Sequence, residues 1–177
     1  MRVIGGRYGG RTLVAPRGRA TRPTGDRVRE ALFSILGDVS GARVLDLFAG
    51  SGALAVEALS RGAASATLID SSAAAVDAIR RNIGALELDA QVHRRDALAF
   101  LRAARGRPEQ YDLVFLDPPY RSVSGLSAEL STALPPVLAP GCRVISESDR
   151  RSALELDLPL IDERRYGDTL IRIHGPR

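Results

Sequence analysis

The strongest constraint on the fold is an alternation of short apolar runs with longer segments of helical periodicity, which begins at residue 43. The apolar runs predict strands at about 43–47, 65–70, 90–94, 112–117, 142–147, 154–158 and 169–173. Helical patterns separate the first five runs, at about 53–61, 72–83, 97–104 and 125–134. Strands that alternate with helices pair in parallel through crossover helices. The pattern therefore predicts an α/β fold with a mostly parallel seven-stranded sheet flanked by helices, whose final strands close one edge as an antiparallel hairpin.

The fourth predicted strand ends abruptly in an acid, two prolines and an aromatic residue: Asp117, Pro118, Pro119 and Tyr120. Proline has no backbone N–H, so the two proline carbonyls have no competing donor, and an ionised aspartate only accepts hydrogen bonds. Such a turn suits a ligand that brings donors, such as the exocyclic amine of a nucleobase, and Tyr120 offers a flat face for stacking. Aspartate and proline are also common in ordinary turns, so the motif alone leaves that interpretation open.

A glycine-rich loop follows the first predicted strand. Its two glycines, Gly50 and Gly52, allow a tight turn, and the helix that begins at Ala53 directs free N–H groups towards the same place. Right-handed crossovers place the first and fourth strands side by side, which brings this loop next to the turn after residue 117. The candidate cofactor-binding residues of the loop are Asp46, Phe48, Ala49, Gly50, Ser51 and Gly52.

Three acids refine the choice of cofactor. Asp70 ends the second predicted strand, where a carboxylate can accept the hydroxyls of a ribose, and Ser71 follows it. Asp46 ends the first strand, where its charge opposes a pyrophosphate but favours a cationic amino group. Asp96 and the N–H of Ala97 are candidates for an adenine ring, although Asp96 can equally cap the next helix. A nicotinamide cofactor also fits the glycine loop, but Asp46 disfavours it.

The first 37 residues form a basic N-terminal extension. Eight arginines and two acids give residues 1–30 a charge of +6, whereas the whole chain carries +4, and no lysine is present. Residues 2–5 and 11–15 are predicted to form a hairpin, and a helix capped by Thr24 runs to about Leu36. The predicted apolar face of this helix consists of Val28, Leu32, Ile35 and Leu36, and Arg27 and Arg29 are expected to point away from it. The charge indicates a polyanionic partner such as RNA, although a solvated basic edge remains open. The candidate RNA-binding residues are Arg7, Arg11, Arg17, Arg19, Arg22, Arg27 and Arg29.

The remaining composition predicts a cytoplasmic protein. No apolar run has membrane-spanning length, and the first residues lack the apolar segment of a signal peptide. The single cysteine, Cys142, lies in an apolar run and is expected in the core. The two histidines are far apart, so no metal site is expected. Two regions are predicted: a basic hairpin and helix over 1–37, and a cofactor-binding catalytic domain over 38–177.

The motifs together resemble a known family. A DxFxGSG loop, an acid after the second strand, Asp-Ala after the third and DPPY after the fourth resemble the Rossmann-like class I S-adenosylmethionine-dependent methyltransferases that act on exocyclic amines. The runs RVIGGRYGGRTL, TRPTGDRVREALF and LDLFAGSGALAVEALSRGA are similar, more narrowly, to the RsmD type. This resemblance implies S-adenosyl-L-methionine as cofactor and the N2 amine of one guanine in 16S ribosomal RNA as acceptor. It also implies action on a small-subunit assembly particle, and a monomer is expected.

The resemblance assigns roles to the predicted turn. Asp117 and the Pro118 carbonyl would accept the two N–H bonds of the amine, while Tyr120 would stack on the base. Three alternatives remain at this point. An adenine-N6 methyltransferase acting on DNA or RNA needs the same turn, whereas a nicotinamide-dependent oxidoreductase needs an acid–base pair that is not evident. A non-catalytic RNA-binding protein with a vestigial pocket is the third.

Overall fold

The computed structural model describes residues 1–16, 25–119 and 123–175. Its strands are β1 (Arg43–Asp46), β2 (Ser65–Asp70), β3 (Ala90–Arg94), β4 (Tyr111–Leu116), β5 (Leu138–Asp149), β6 (Leu160–Tyr166) and β7 (Thr169–His174). They form one seven-stranded sheet in the order β3-β2-β1-β4-β5-β7-β6. β7 is antiparallel to both of its neighbours, and the other pairings are parallel. The predicted sheet is confirmed, including the adjacency of the first and fourth strands.

In the described ranges, five α-helices cover the sheet: α1 (Asp26–Leu36), α2 (Ala53–Ser60), α3 (Ala73–Ala85), α4 (Ala97–Ala104) and α5 (Val123–Ala133). Apolar residues of α1, α2 and α3 form one core cluster with one face of the sheet, and those of α4 and α5 form a second cluster with the other face. Both faces are therefore buried, which explains the continuous apolar runs of the central strands. No helix in the described ranges is long and apolar enough to cross a membrane.

Helix α1 runs antiparallel to the central strands. The side chain of Arg143 donates to the Leu36 carbonyl at the end of α1, and Arg143 pairs with Leu113 near the start of β4. One turn earlier, the Phe33 ring lies 6.0 Å from the ring of Phe115 in the middle of the sheet. The beginning of α1 therefore lies at the edge where the parallel strands end.

The strand predicted at 154–158 is wrong. The residues that pair with β7 are Leu160–Tyr166 instead. The alternating leucines do turn inwards, with Leu154 fully buried beneath α5. The backbone N–H groups of Glu155 and Asp157 donate to the Ser127 and Ser131 hydroxyls of α5 at 3.2 and 2.9 Å, so a helix supplies the partners that a strand would have supplied. The alternating leucines therefore predicted correctly which side chains are buried, but not that this segment pairs with a helix rather than with a strand.

The N-terminal extension differs in detail from its prediction. The expected hairpin is reduced to one antiparallel bridge between Arg2 and Thr12, and a short 3₁₀ helix, Gly6–Tyr8, occupies the bend. The cap of α1 is Gly25, which makes no side-chain hydrogen bond. The predicted capping residue, Thr24, lies outside the described residues.

Candidate functional site

Four neighbouring strands each present an acid at the same edge of the sheet. In strand order these acids are Asp70 at the end of β2, Asp46 at the end of β1, Asp117 directly after β4, and Glu147 in β5. Asp46 pairs in register with Leu68 and with Phe115, whose side chains lie in the core beneath α1, α2 and α3. Since side chains alternate along a strand, Asp70 and Asp117, each two residues further on, face the same side of the sheet.

Asp70 holds the glycine loop in place. One carboxylate oxygen accepts from the Gly50 N–H at 2.9 Å, and the other accepts from the Ser72 N–H at 2.8 Å. Each carboxylate oxygen has a second lone pair, so these bonds leave acceptor capacity. The predicted ribose acceptor therefore also fixes the loop that is expected to approach the cofactor.

Gly52 is required by both conformation and space. Its φ is +78°, a left-handed value that L-residues rarely adopt. A Cβ there would lie 3.0 Å from Cδ2 of Leu68 and 3.4 Å from Cγ1 of Ile79. The loop consequently packs its backbone directly on β2 and α3.

Asp46 is a buried carboxyl group with one oxygen that lacks a hydrogen-bond partner. It is 1% exposed, and its Oδ2 has no hydrogen-bond partner among the described residues. Burial raises its pKa from 3.8 to about 7; the N–H groups of Ala55 and Phe48 oppose the shift, and the negative charge of Asp70 adds to it. A cation placed beside Oδ2 would favour the ionised form and supply the missing partner. Asp46 thus fits the amino group predicted from its position in the sequence.

Asp117 follows β4 and is half-buried. Burial raises its pKa well above the usual range, and the charges of Glu147 and Asp46 raise it further. Pro118 is buried and Pro119 is exposed, whereas Tyr120 lies outside the described residues. Asp117, the acid of the DPPY motif, is therefore close enough to Asp46, the last residue before the glycine loop, for the two charges to interact.

Sequence reasoning missed Glu147. This residue is 6% exposed and lies in β5 between two buried serines, Ser146 and Ser148. A glutamate in the interior of a buried strand is rarely left uncompensated, and that position was the available signal. Glu147 ends the predicted strand 142–147 just as Asp117 ends 112–117, but neither glycine nor proline follows it directly to mark a ligand-binding turn.

The other predicted cofactor residues occupy varied positions. Asp96 caps α4, with its carboxylate accepting from the Ala99 N–H at 2.9 Å, as its capping alternative predicted. Ala97 begins that helix and is buried, Ser71 is exposed, and Phe48 packs partly against the core beside α4 and α5. These positions leave the adenine assignment as a prediction.

The predicted RNA-binding arginines divide into three groups. Arg7, Arg11 and Arg27 are exposed. Arg17, Arg19 and Arg22 lie outside the described residues. Arg29 is fully buried and donates to the Arg2 carbonyl at 2.6 Å and to Asp26 at 2.7 Å.

The outward position predicted for Arg29 is therefore wrong. The buried face of α1 consists of Arg29, Leu32, Phe33 and Leu36, while the predicted core residue Ile35 is 36% exposed. The apolar face had been placed about one residue out of phase. Asp26 and the N-terminal backbone supply partners for Nη2 and so offset part of the cost of burying the guanidinium, whereas Nε and Nη1 have no hydrogen-bond partner among the described residues.

The N-terminal residues are fastened to α2. The buried carboxylate of Glu57 accepts from the backbone N–H groups of Ile4 at 2.7 Å and Gly5 at 2.9 Å. The Ser60 hydroxyl accepts from the Tyr8 N–H at 2.9 Å and donates to the Gly5 carbonyl at 2.6 Å. Since α2 begins at the glycine loop, these N-terminal residues are held on the helix that follows the candidate cofactor site.

The arrangement matches a known family along nearly its whole length. A family model described as Conserved hypothetical protein 95 matches residues 1–175. The chain belongs to this family, the RsmD family. The "Putative rRNA methyltransferase YlbH" of Bacillus subtilis (strain 168) is 40% identical over 184 residues, which cover 100% of both chains.

A relative and a solved structure, both from Escherichia coli, extend the comparison. The "Ribosomal RNA small subunit methyltransferase D" of strain K12 is 47% identical to this RsmD-family chain over 123 residues, which cover 68% of this chain and 61% of that protein. The solved structure of "Putative methyltransferase yhhF" superimposes with a TM-score of 0.84 at 37% identity, covering 100% of this chain and 99% of that one. The fold is therefore that of a class I methyltransferase.

A more distant structure, that of SMU.776 complexed with SAH, shares the fold at a TM-score of 0.67 and 20% identity, covering 84% of this chain and 48% of that one. Within the described residues, no group of three or more His, Cys, Asp or Glu side chains is arranged to hold a metal ion.

Proposed function

We propose that this RsmD-family chain transfers a methyl group from S-adenosyl-L-methionine to the N2 amine of a guanine in 16S ribosomal RNA. The observation that supports the proposal most strongly is that Asp117 follows β4, the strand beside β1, and interacts electrostatically with Asp46, the last residue of β1 before the glycine loop. The names of the E. coli and B. subtilis relatives support ribosomal RNA as the acceptor.

The loop and its acids would hold the cofactor. Asp46 would bind the cationic amino group through its unpartnered Oδ2, and Asp70 would accept from the ribose with its remaining lone pairs. The backbone of the glycine loop would approach the cofactor closely, and the loop residues proposed to line its site are Phe48, Ala49, Gly50, Ser51 and Gly52. The nucleoside would contact Ser71, Asp96 and Ala97. The bound cofactor supplies an electrophilic methyl group on a sulfonium sulfur. The SAH complex of the structural neighbour SMU.776 supports this choice of ligand.

Asp117, Pro118, Pro119 and Tyr120 would orient the acceptor amine. Its lone pair is delocalised into the guanine ring, so hydrogen bonds from its two N–H groups to Asp117 and the Pro118 carbonyl would direct nitrogen towards the methyl group. A carbon–nitrogen bond forms as the carbon–sulfur bond breaks, and the sulfur keeps the electron pair. The amine then loses a proton to Asp117 or to water. No covalent enzyme intermediate is required.

Residues 1–37 would hold the RNA while residues 38–177 perform the transfer. Arg7, Arg11 and Arg27 are exposed, and α1 begins at the edge where the acids lie, so phosphates bound near Arg27 would be close to the site. Arg17, Arg19 and Arg22 belong to the same basic segment and are proposed as further contacts. We propose a monomer that acts in the cytoplasm on a small-subunit assembly particle.

The proposal is tested with small and large ribosomal subunits from cells that lack the protein. Purified chain and S-adenosylmethionine with a tritiated methyl group should transfer label to the RNA of small subunits and leave large subunits unlabelled. The Asp117→Asn variant provides the control for contaminating activity. Label confined to large subunits, or to ribosomal protein, would contradict the proposed acceptor.

A further inference from the structure

The side chain of Glu147 is placed beside that of Asp117 by the register of β4 and β5. Phe115 pairs with Ile145 and Leu116 pairs with Ser146, so Asp117 and Glu147 occupy the next level of adjacent parallel strands. On its other side Glu147 pairs with Ile171, whose side chain lies in the core beneath α1, α2 and α3. Asp117 faces the same side, because it lies two residues beyond Phe115.

The position of Glu147 relative to the cofactor loop also matters. The loop and its acids, Asp46 and Asp70, lie over β1 and β2, whereas β5 lies on the opposite side of β4. An amine held at Asp117 with its nitrogen towards the loop extends the rest of its ring away from β1. Glu147 is an acid of β5 and so lies on that side of β4, and it is close enough for its charge to raise the pKa of Asp117.

Nucleobases differ in the ring atom next to the exocyclic amine. In guanine the amine at C2 is flanked by N1, which carries a proton and donates, and by N3, which accepts. In adenine the atom beside the amino-bearing carbon is N1, a bare acceptor. Cytosine likewise has the acceptor N3 next to its amine. Guanine is therefore the only one of the three with a ring N–H beside the amine.

We propose that Glu147 is a specificity-determining residue that accepts the N1–H of the target guanine, next to the amine held by Asp117. The proposal rests on the function proposed above and identifies how that site selects its base. A buried carboxylate only accepts hydrogen bonds, so it pairs with guanine N1–H and repels the N1 lone pair of adenine. Sites built to hydrogen-bond a donor reject analogues that lack it, and here the lone pair of adenine N1 would face a carboxylate oxygen.

The test combines a change of the target base with a change of Glu147. Small subunits are reconstituted with 16S RNA that carries either guanine or 2-aminopurine at the methylated position. 2-Aminopurine keeps the amine at C2 but has a bare acceptor at N1. Single-turnover transfer is measured on both for the wild type and for Glu147→Gln, whose amide can donate to that acceptor. Intrinsic reactivity of the two bases cancels when the guanine-to-aminopurine rate ratio is compared between enzymes.

The wild-type ratio should exceed that of Glu147→Gln by about tenfold or more. Ser146→Ala, a buried neighbour that pairs with Leu116 on the opposite face, should keep the wild-type ratio. Equal ratios for the wild type and Glu147→Gln would overturn the role of Glu147 while leaving the proposed function intact. No transfer to guanine by the wild type would overturn both.

A second variant covers failure of Glu147→Gln to fold, which is checked by S-adenosylhomocysteine binding. Glu147→Asp keeps the charge at a shorter reach. It should slow transfer to guanine while still rejecting 2-aminopurine. Efficient transfer to 2-aminopurine by Glu147→Asp would contradict the proposal.

Discussion

The side-chain amide of Asn82 donates to the backbone carbonyl of Ser51 at 2.8 Å and also pairs with both backbone polar groups of Val14. One buried side chain of α3 thus joins the glycine loop to the end of the described N-terminal segment, three residues before Arg17. The loop expected to bind the cofactor and the segment expected to bind RNA are held by the same amide. Ordering either one should therefore help to order the other.

We expect Asn82→Ala to weaken binding of S-adenosylhomocysteine by about tenfold, because the buried Ser51 carbonyl loses its donor and the loop is released. Calorimetric titration measures the affinity. The neighbouring Arg81→Ala changes an exposed residue of the same helix and should bind normally. An unchanged affinity in Asn82→Ala would show that the loop is held without this link.

Asp46 should make stability depend on pH. Between pH 3.8 and about 7, the folded chain keeps the Asp46 proton that the unfolded chain has released, so stability falls as pH rises through this window. Asp46→Asn removes that dependence. Its stability relative to the wild type should rise by about 2 to 3 kcal/mol between pH 5 and pH 8.

Urea denaturation of both proteins at the two pH values measures this difference. The same substitution should weaken cofactor binding, because an amide lacks the charge that attracts an amino group. A stability difference that does not change with pH would contradict a pKa of about 7 for Asp46.

Asp117→Asn should lower methyl transfer by about 100-fold or more, since an amide has one acceptor oxygen and cannot take the proton. Cofactor affinity should remain that of the wild type. The wild-type rate should increase with pH as Asp117 ionises, because its pKa is raised by burial and by the nearby acids. Loss of cofactor affinity together with activity would remove Asp117 from the acceptor side of the site.

Replacing Arg17, Arg19 and Arg22 together by alanine should weaken RNA binding and reduce its dependence on salt. Each lost phosphate contact lowers the slope of log affinity against log salt by about 0.7 to 0.9. A matched control removes three exposed arginines that pair with acids elsewhere on the described surface: Arg102, Arg164 and Arg165. The two variants have the same net charge, so equal losses of affinity would argue against a specific role for the N-terminal segment.

The sequence predicted most of the sheet because the central strands are buried on both faces and read as continuous apolar runs. The edge was less predictable. Leu154, Leu156 and Leu158 alternate as in a strand, but the backbone N–H groups between them donate to serine hydroxyls of α5. The strand itself begins with an exposed pair, Leu160 and Ile161. Local periodicity does not reveal which element supplies hydrogen-bond partners.

The candidate site was predictable where glycines, prolines and acids follow strands, as at Gly52 and Asp117. Two residues were not. Arg29 points inwards because its guanidinium donates to the Arg2 carbonyl, which is distant in sequence, and pairs with Asp26. Glu147 lies beside Asp117 because of the register between β4 and β5. Both depend on contacts between segments far apart in sequence, which short motifs do not encode.

The most direct test of the account is the identity of the methylated nucleoside. Small ribosomal subunits from cells that lack this protein are treated with the purified chain and S-adenosylmethionine, and their RNA is digested and analysed by mass spectrometry. The account predicts N2-methylguanosine at a single site, absent with Asp117→Asn. Detection of N6-methyladenosine would be consistent with the roles proposed for the glycine loop and the DPPY turn, but it would contradict the proposed base and the role of Glu147.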